Sequence, residues 1–178
     1  MKKIKVLLSL AFISLIIPLL NSCSVKIPEY VKPLNDFNTN AYSGKWYEIA
    51  RFDFKYEKDL SNVTAEYIGN YDGTIKVINK GFDYKKNKWK QAIGKAKNNG
   101  SINQSTLKVS FFGPFYAGYN VVMMDPAYET ALVFGQSTDY IWILSRTKTI
   151  SEETKQKFLV KAQQAGYDLN RLVWTVQD

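Results

Sequence analysis

The chain has 178 residues, with 24 Lys and Arg against 16 Asp and Glu, and a formal net charge of +8. This length suggests a single domain, and 46% hydrophobic with 22% charged residues is ordinary globular usage, which argues against intrinsic disorder. There is no histidine and only one cysteine. The composition therefore excludes a histidine-based triad, a histidine-ligated metal site, a disulfide framework and a zinc ribbon. We expect neither a metal nor a cofactor.

Residues 1–22 are predicted to be a lipoprotein signal peptide. A short basic stretch precedes an apolar run from Val6 to Leu20, which is shorter than the ~20 residues that a membrane-spanning helix needs. The following Leu20-Asn21-Ser22-Cys23 resembles a bacterial lipobox, in which the cysteine is lipidated and becomes the mature N-terminus. The alternative is an ordinary secretory signal followed by a chance cysteine.

The segment after Cys23 is predicted to be a lipid-anchored tether, residues 23–36, with two prolines and little periodicity. Removing residues 1–22 deletes three lysines and no acid, so the mature chain carries about +5. That charge suits an anionic membrane surface but is too diffuse to indicate nucleic-acid binding. The residue directly after Cys23 is Ser24 and not the Asp that resembles an inner-membrane retention signal. We therefore expect export through the Sec pathway and transfer to the outer membrane.

The remaining chain, 37–178, is predicted to be rich in short strands. Asp72-Gly73 between two β-rich runs is a strong hairpin signal. Turn residues with short, regular spacing separate the other runs, and such spacing predicts an antiparallel sandwich or barrel. The eight predicted strands are Lys45–Phe54, Thr64–Tyr71, Thr74–Phe82, Trp89–Lys97, Thr106–Phe112, Tyr116–Met124, Thr130–Gln136 and Tyr140–Arg146.

A helix and a ninth strand are predicted to follow. Thr149-Ile150-Ser151-Glu152 has the form of a capping box, with Ser151 as a rival N-cap, and Gly166 is the expected residue just past the helix end. Apolar residues in between recur at helical spacing and indicate a packing face. The short apolar run 172–174 is the candidate for the ninth strand.

Three motifs in order resemble the lipocalin family, and the bacterial outer-membrane lipoprotein lipocalins in particular. They are Gly44-Lys45-Trp46-Tyr47, Thr138-Asp139-Tyr140, and Arg146 after the eighth strand. The resemblance covers roughly residues 34–176. It implies an eight-stranded up-and-down barrel with one C-terminal helix, and a role as a binding protein for fatty acids or phospholipids rather than as an enzyme.

Barrel topology places Gly44, Trp46 and Arg146 at one end, because the first strand starts where the eighth finishes. A guanidinium over an indole is worth ~0.5–2 kcal/mol. We expect these residues to form a structural floor. Strand alternation then selects inward-facing side chains. The predicted cavity residues are Ala50, Phe52, Phe111, Phe115, Tyr119, Val121, Met123, Val133, Tyr140, Trp142 and Leu144.

The loops at the opposite, open end carry five lysines, namely Lys55, Lys58, Lys85, Lys86 and Lys88. As a cluster, they are predicted to hold a phosphate or carboxylate head group, or to face an anionic leaflet. For any single lysine, a solvated loop position is the favoured interpretation. Glu48 is an odd member of the inward set, because a carboxylate in an apolar barrel has a raised pKa or needs a partner.

The expected ligand is a fatty acid or a lysophospholipid, since one acyl tail fits one cavity. Three alternatives stay open: a filled barrel without a ligand, a binder of another small hydrophobe such as a pigment or haem, and a lipid-acting enzyme. The enzyme is disfavoured because no G-x-S-x-G elbow appears and no histidine is available as a base. The sequence leaves open whether the protein is a monomer or a homodimer.

Overall fold

The computed structural model describes residues 25–100 and 104–178. The signal peptide and the predicted lipidation site at Cys23 lie outside the described residues. The helices are α1, Thr39–Tyr42, and α2, Glu152–Gln164. The strands are β1, Gly44–Phe52; β2, Leu60–Gly69; β3, Ile75–Asp83; β4, Lys88–Asn98; β5, Thr106–Phe112; β6, Phe115–Met124; β7, Thr130–Gly135; β8, Ile141–Ser145; and β9, Leu172–Trp174.

The first eight strands close into an antiparallel barrel. Each strand pairs with the next along the chain, and β1 closes the ring by pairing with both β8 and β2. In this closure Tyr47 lies opposite Ser145 on one side and opposite Thr64 on the other. The predicted fold class is therefore confirmed, including the ninth strand, which pairs with the second half of β1.

The turn between β2 and β3 forms where the sequence predicts it. Gly73 has φ +76°, a conformation that glycine adopts without steric cost. The Asp72 carboxylate accepts a hydrogen bond from the backbone N–H of Thr74 at 3.0 Å. The strands then pair from Gly69 opposite Ile75. The local turn chemistry thus sets the register of this hairpin.

Helix α2 packs on the outside of the barrel. The Ser151 hydroxyl caps it by accepting from the backbone N–H of Thr154 at 3.1 Å, and Gly166 follows its end with φ +85°. Its buried residues, Phe158 and Ala162, join an apolar layer that includes the outer faces of β1, β6, β7 and β8. No helix in the described ranges combines the length and the hydropathy needed to cross a bilayer.

The part of the predicted tether that the structure describes lies against the barrel. Val31 is buried in the helix-side layer. The backbone N–H of Leu34 donates to the Ser105 hydroxyl at 2.8 Å, and Phe37 enters the core inside the barrel. Hydrophobic periodicity does not predict this packing, because single residues hold the segment against the barrel and it forms no regular helix or strand.

Candidate functional site: the barrel interior and its open end

One end of the barrel is sealed around Trp46 and Arg146. The Arg146 guanidinium lies 3.9 Å from the centroid of the Trp46 ring and donates to the backbone carbonyls of Lys45 and Ser43 at 2.8 and 2.9 Å. Gly44 has φ +97°, and a Cβ there would lie 3.4 Å from Arg146 Nη1. The structure therefore brings the three predicted floor residues together, and glycine allows the guanidinium to approach the backbone.

Most of the predicted cavity residues face the barrel interior. Tyr140, just before β8, lies over Trp142 with the ring centroids 6.3 Å apart and the planes 17° apart. Its position at the start of the strand places it near the open end. The others that belong to the interior core or pack against it are Phe111, Tyr119, Val121, Val133, Trp142 and Leu144.

The prediction for Ala50 and Phe52 is wrong because β1 contains a bulge. Its register against β8 shifts between Glu48 and Ala50, and one extra residue reverses the inward and outward sides of a strand. Ala50 and Phe52 consequently face the layer under α2. Arg51 takes the inward position instead and lies opposite Trp142.

Two further cavity assignments need correction. A second register shift, between Val121 and Met123 of β6, turns Met123 toward the helix-side layer and Met124 toward the interior core. Phe115 begins β6 at the tip of the open end and is 78% exposed. It therefore belongs to the outer rim rather than to the cavity wall.

Three tyrosine hydroxyls meet above the floor, a cluster that strand alternation alone does not predict. The Tyr119 hydroxyl lies 2.5 Å from that of Tyr42 and 2.8 Å from that of Tyr67. Burial raises the pKa of all three phenols, so they stay neutral. Tyr42 comes from α1, which the sequence analysis did not predict. The lower interior is thus both aromatic and hydrogen-bonding.

Glu48 has partners inside the barrel. Its Oε1 accepts from Arg51 Nη1 at 2.7 Å and from the Thr175 hydroxyl at 2.6 Å. Burial raises the pKa of Glu48, while Arg51 and Thr175 act in the opposite direction. Arg51 Nε is buried with no hydrogen-bond partner among the described residues. The bulge that turns Ala50 toward the helix-side layer also brings Arg51 next to Glu48.

A second carboxyl group, that of Glu57, reaches the interior from the loop between β1 and β2. Its Oε2 accepts from Trp142 Nε1 at 3.0 Å, and its backbone carbonyl accepts from Arg51 Nη2 at 2.8 Å. Burial and the nearby Glu48 charge raise the pKa of Glu57 to about 8. Protonation of Glu57 at neutral pH therefore favours this inward position.

The same loop, residues 53–59, extends over the open end. The Phe54 ring contacts those of Tyr140 and Trp142 at centroid distances of 5.7 and 6.0 Å. The Tyr56 ring lies 5.8 Å from that of Phe112, which ends β5 across the opening. These contacts make the loop a cover for the interior, and we call residues 53–59 the cover loop.

The five mouth lysines lie at the open end together with an equal number of acidic residues. Lys85 forms an ion pair with Asp59 at 3.0 Å. The hydrogen bond and the charge of Lys85 lower the pKa of Asp59. The five lysines are all exposed. The acidic residues of this end are Asp53, Glu57, Asp59, Asp83 and Asp139. The rim thus presents both charges, which suits a dipolar head group better than a purely anionic one.

A sealed eight-stranded barrel with an aromatic interior and one covered opening defines a class of ligand-binding protein, the lipocalins. The chain belongs to the lipocalin-like domain family, which it matches over residues 37–177. Lipocalins bind small hydrophobic ligands and are generally not enzymes.

The similarity to individual proteins is extensive. The chain is 49% identical to the outer membrane lipoprotein Blc of Escherichia coli K12 over 150 residues, which are 84% of this chain and 85% of the relative. It is 46% identical to the protein of that name from Vibrio cholerae over 167 residues, 93% and 97% of the two chains. Among solved structures, lobster apocrustacyanin A1 superimposes with a TM-score of 0.65 at 20% identity, covering 86% of this chain and 94% of that one.

Proposed function

We propose that this protein is a lipid-binding lipocalin that holds a fatty acid or a lysophospholipid in its barrel, for lipid storage or transport in the cell envelope. The observation that carries the proposal is the arrangement of the interior. Apolar and aromatic walls lie above a sealed floor, the polar groups of the interior are paired with one another, and the exposed charged groups gather at the covered opening. An amphiphile with one tail matches that gradient of polarity.

The energetics favour an acyl chain. Burying a CH₂ group gains ~0.8 kcal/mol, so a 16-carbon chain offers up to ~12 kcal/mol before ordering and association costs. At the opening Phe54 packs edge-to-face against Tyr140 and Trp142, whose own rings are stacked. Entry of a ligand therefore requires the cover loop to move aside, which costs these ring contacts and the Glu57–Trp142 hydrogen bond.

The mixed charge of the rim favours a lysophospholipid over a fatty acid. Lys55 and Lys86 are exposed and suited to a phosphate, whereas Asp53, Asp59 and Asp139, at the same end of the barrel, repel a free carboxylate. A dipolar head group satisfies both sets of groups. We infer no enzymatic activity, because the interior hydroxyls are tyrosines bonded to one another and the chain has no histidine.

We also propose lipidation at Cys23 after removal of residues 1–22, and attachment to the outer membrane. The lipobox-like sequence supports this, as does the name of the two bacterial relatives. The match to the Vibrio cholerae protein covers 93% of the chain, so it extends well before residue 37. Globomycin, which blocks lipoprotein signal peptidase, is expected to cause accumulation of the uncleaved chain.

Native mass spectrometry tests the binding proposal. The chain from residue 23, carrying Cys23→Ser, is titrated with a lysophospholipid, a fatty acid and a diacyl phospholipid. We expect a 1:1 lysophospholipid complex. Val133 is fully buried opposite Trp142, so Val133→Phe fills the interior and is expected to abolish the complex. The control Val160→Phe, on the exposed side of α2, is expected to bind normally.

A filled structural barrel is a second candidate, favoured by one observation. The tyrosine hydroxyls satisfy one another, and Glu48 is satisfied by Arg51 and Thr175. An interior of this kind is stable without an occupant. If the folded wild-type chain forms no complex with any of the three lipids, this second candidate replaces the first.

A further inference from the structure

The positive charge of the chain is concentrated in the β3–β4 hairpin. Residues 75–98 contain eight lysines and one acid, Asp83, and so carry a net charge of +7. The mature chain as a whole carries +5, which means that all residues outside the hairpin sum to −2. A whole-chain count hides this local excess. The lysines are Lys76, Lys80, Lys85, Lys86, Lys88, Lys90, Lys95 and Lys97.

Four of these lysines have neither an ion pair nor a ring contact among the described residues. Lys85, Lys90 and Lys95 lie near acidic partners, and Lys97 lies over the Tyr116 ring at 4.7 Å. The four that remain are Lys76, Lys80, Lys86 and Lys88, all exposed. Their charge is therefore available to an external anionic partner.

The outer face of the hairpin carries apolar side chains between the lysines. Ile75 and Val77 point into the barrel core, so the alternate residues of β3 and their partners on β4 point outward. Along that outer face the cross-strand pairs are Lys76–Lys95, Ile78–Ile93, Lys80–Gln91 and Phe82–Trp89. Basic or polar pairs thus alternate with apolar pairs, and we call this surface the hairpin face.

Two of the large apolar side chains on the hairpin face are open to solvent. Trp89 is 63% exposed and Ile93 is 53% exposed, although Trp89 also contacts the Phe82 ring at 5.6 Å. Helix α2 covers β1 and β6–β8, on another part of the barrel. Tyr84, at the hairpin tip, is exposed as well. Exposed apolar surface next to unpaired lysines indicates an interaction site.

The N-terminal end of the described chain lies at the base of the same hairpin. Val25 and Asn99, which directly follows β4, exchange two hydrogen bonds: Val25 N–H to Asn99 Oδ1 at 3.2 Å, and Asn99 Nδ2 to the Val25 carbonyl at 2.6 Å. Cys23 is two residues away, a reach of about 7 Å. Under the proposed lipidation, the acyl chains therefore enter a membrane close to the base of this hairpin.

We propose that the hairpin face lies on an anionic phospholipid surface, with its lysines among the phosphates and Trp89 and Ile93 inserted at the interface. Basic residues next to a membrane are attracted by anionic lipid, and tryptophan prefers the interfacial region. The barrel then lies on its side beside its own anchor. This inference goes beyond ligand binding and does not depend on the interior of the barrel.

Co-sedimentation with vesicles tests the proposal. The chain from residue 23 with Cys23→Ser, which cannot be acylated, is mixed with vesicles containing phosphatidylglycerol or with vesicles of phosphatidylcholine alone. We expect binding to the anionic vesicles only, with loss as salt rises, because the Debye length is about 10 Å at 0.1 M. Changing Lys76 and Lys80 on the hairpin face, together with Lys86 and Lys88 at the adjoining tip of the hairpin, to Gln is expected to weaken binding by at least about 30-fold.

A matched control changes four lysines of α2 and the segment before it to Gln, namely Lys148, Lys155, Lys157 and Lys161. It removes the same charge from another face, and we expect binding within about threefold of wild type. Equal loss in both quadruple variants would overturn the assignment to the hairpin face. Thermal melts establish that both variants are folded.

Two further variants and a DNA-binding measurement distinguish membrane binding by the hairpin face from ligand binding in the barrel and from nucleic-acid binding. Trp89→Ala is expected to weaken vesicle binding about tenfold, because the indole contributes interfacial area. Val133→Phe, which fills the barrel, is expected to bind vesicles as wild type does, so that failure of ligand binding and failure of membrane binding are distinguishable. Binding to duplex DNA as tight as to anionic vesicles, and insensitive to Trp89→Ala, would overturn the lipid assignment.

Discussion

Trp46 and Arg146 seal the barrel through two kinds of contact that reinforce each other. The indole Nε1 donates to the Tyr42 carbonyl at 2.8 Å, which ties α1 to the floor. The guanidinium covers the other side of the ring and satisfies backbone carbonyls of the segment that enters β1. Trp46 is fully buried. The pair thus joins β1 to the end of β8 at one end of the barrel and holds the segment that enters β1.

Trp46→Ala is expected to lower the free energy of unfolding by ~3–5 kcal/mol, because it leaves a cavity beside a guanidinium that then lacks its aromatic face. Urea denaturation followed by circular dichroism measures the change. Trp174→Ala is the matched control, since Trp174 is 42% exposed on β9, and a loss of less than ~1 kcal/mol is expected there. Equal losses at the two sites would contradict the floor assignment.

The three floor residues follow from the sequence, whereas the interior polar groups do not. Gly44, Trp46 and Arg146 belong to motifs whose spacing identifies both the family and the end of the barrel. Arg51 and Glu57 belong to no motif. Arg51 reaches the interior through a bulge and Glu57 through a loop, so neither position follows from strand alternation.

In the cover loop, the side chains that contact the interior are not the ones that the sequence analysis singled out. The prediction emphasised Lys55 and Lys58, which are exposed. The structure shows that the residues between and before them make the inward contacts, with Phe54 on Trp142 and Glu57 on the same indole. The cover loop thus contributes apolar rings and one carboxyl group to the closure of the interior.

The pH dependence of stability tests the protonation of Glu57. Because folding raises its pKa from 4.5 to about 8, the folded state binds the proton more tightly, and the stabilisation is lost as the pH rises through that window. Glu57→Gln keeps the acceptor for Trp142 but cannot ionise. We expect the variant to be more stable than wild type at pH 9 by about 1–2 kcal/mol, which is less than the full pKa shift would give because Glu57 is only half-buried, and similar at pH 5.

The measurement is the free energy of unfolding by urea at several pH values, with Glu129→Gln, on an exposed turn outside the interior, as the control. A wild-type profile that already matches Glu57→Gln between pH 5 and 9 would show that Glu57 ionises freely in water.

Bulges limit what alternation predicts within an element. On β7 and β8 the register is regular, and the inward assignments of Val133, Trp142 and Leu144 agree with the structure. On β1 and β6 a register shift occurs midway, and the assignments beyond it, Ala50, Phe52 and Met123, fall on the wrong side. A bulge leaves no reliable mark in composition, because it is selected by the curvature of the closed barrel.

At the scale of the whole molecule, the order of the strands and the closure of the barrel follow from short turns and from the three motifs. The distribution of surface charge requires the structure, since the hairpin face appears only when β3 and β4 are paired. The ordered N-terminal segment likewise depends on tertiary contacts, with Leu34 and Ser105 exchanging hydrogen bonds at 2.8 and 3.3 Å. Both features connect the predicted anchor to the body of the protein.

The most direct test of lipid binding inside the barrel uses Trp142 as the reporter. A lysophospholipid brominated on its acyl chain quenches tryptophan only at close range. We expect stoichiometric quenching of the wild-type protein below the critical micelle concentration, and loss of most of that quenching in Trp142→Phe but not in Trp174→Phe. Quenching that is unchanged by Trp142→Phe, or absent altogether, would contradict a lipid-filled barrel.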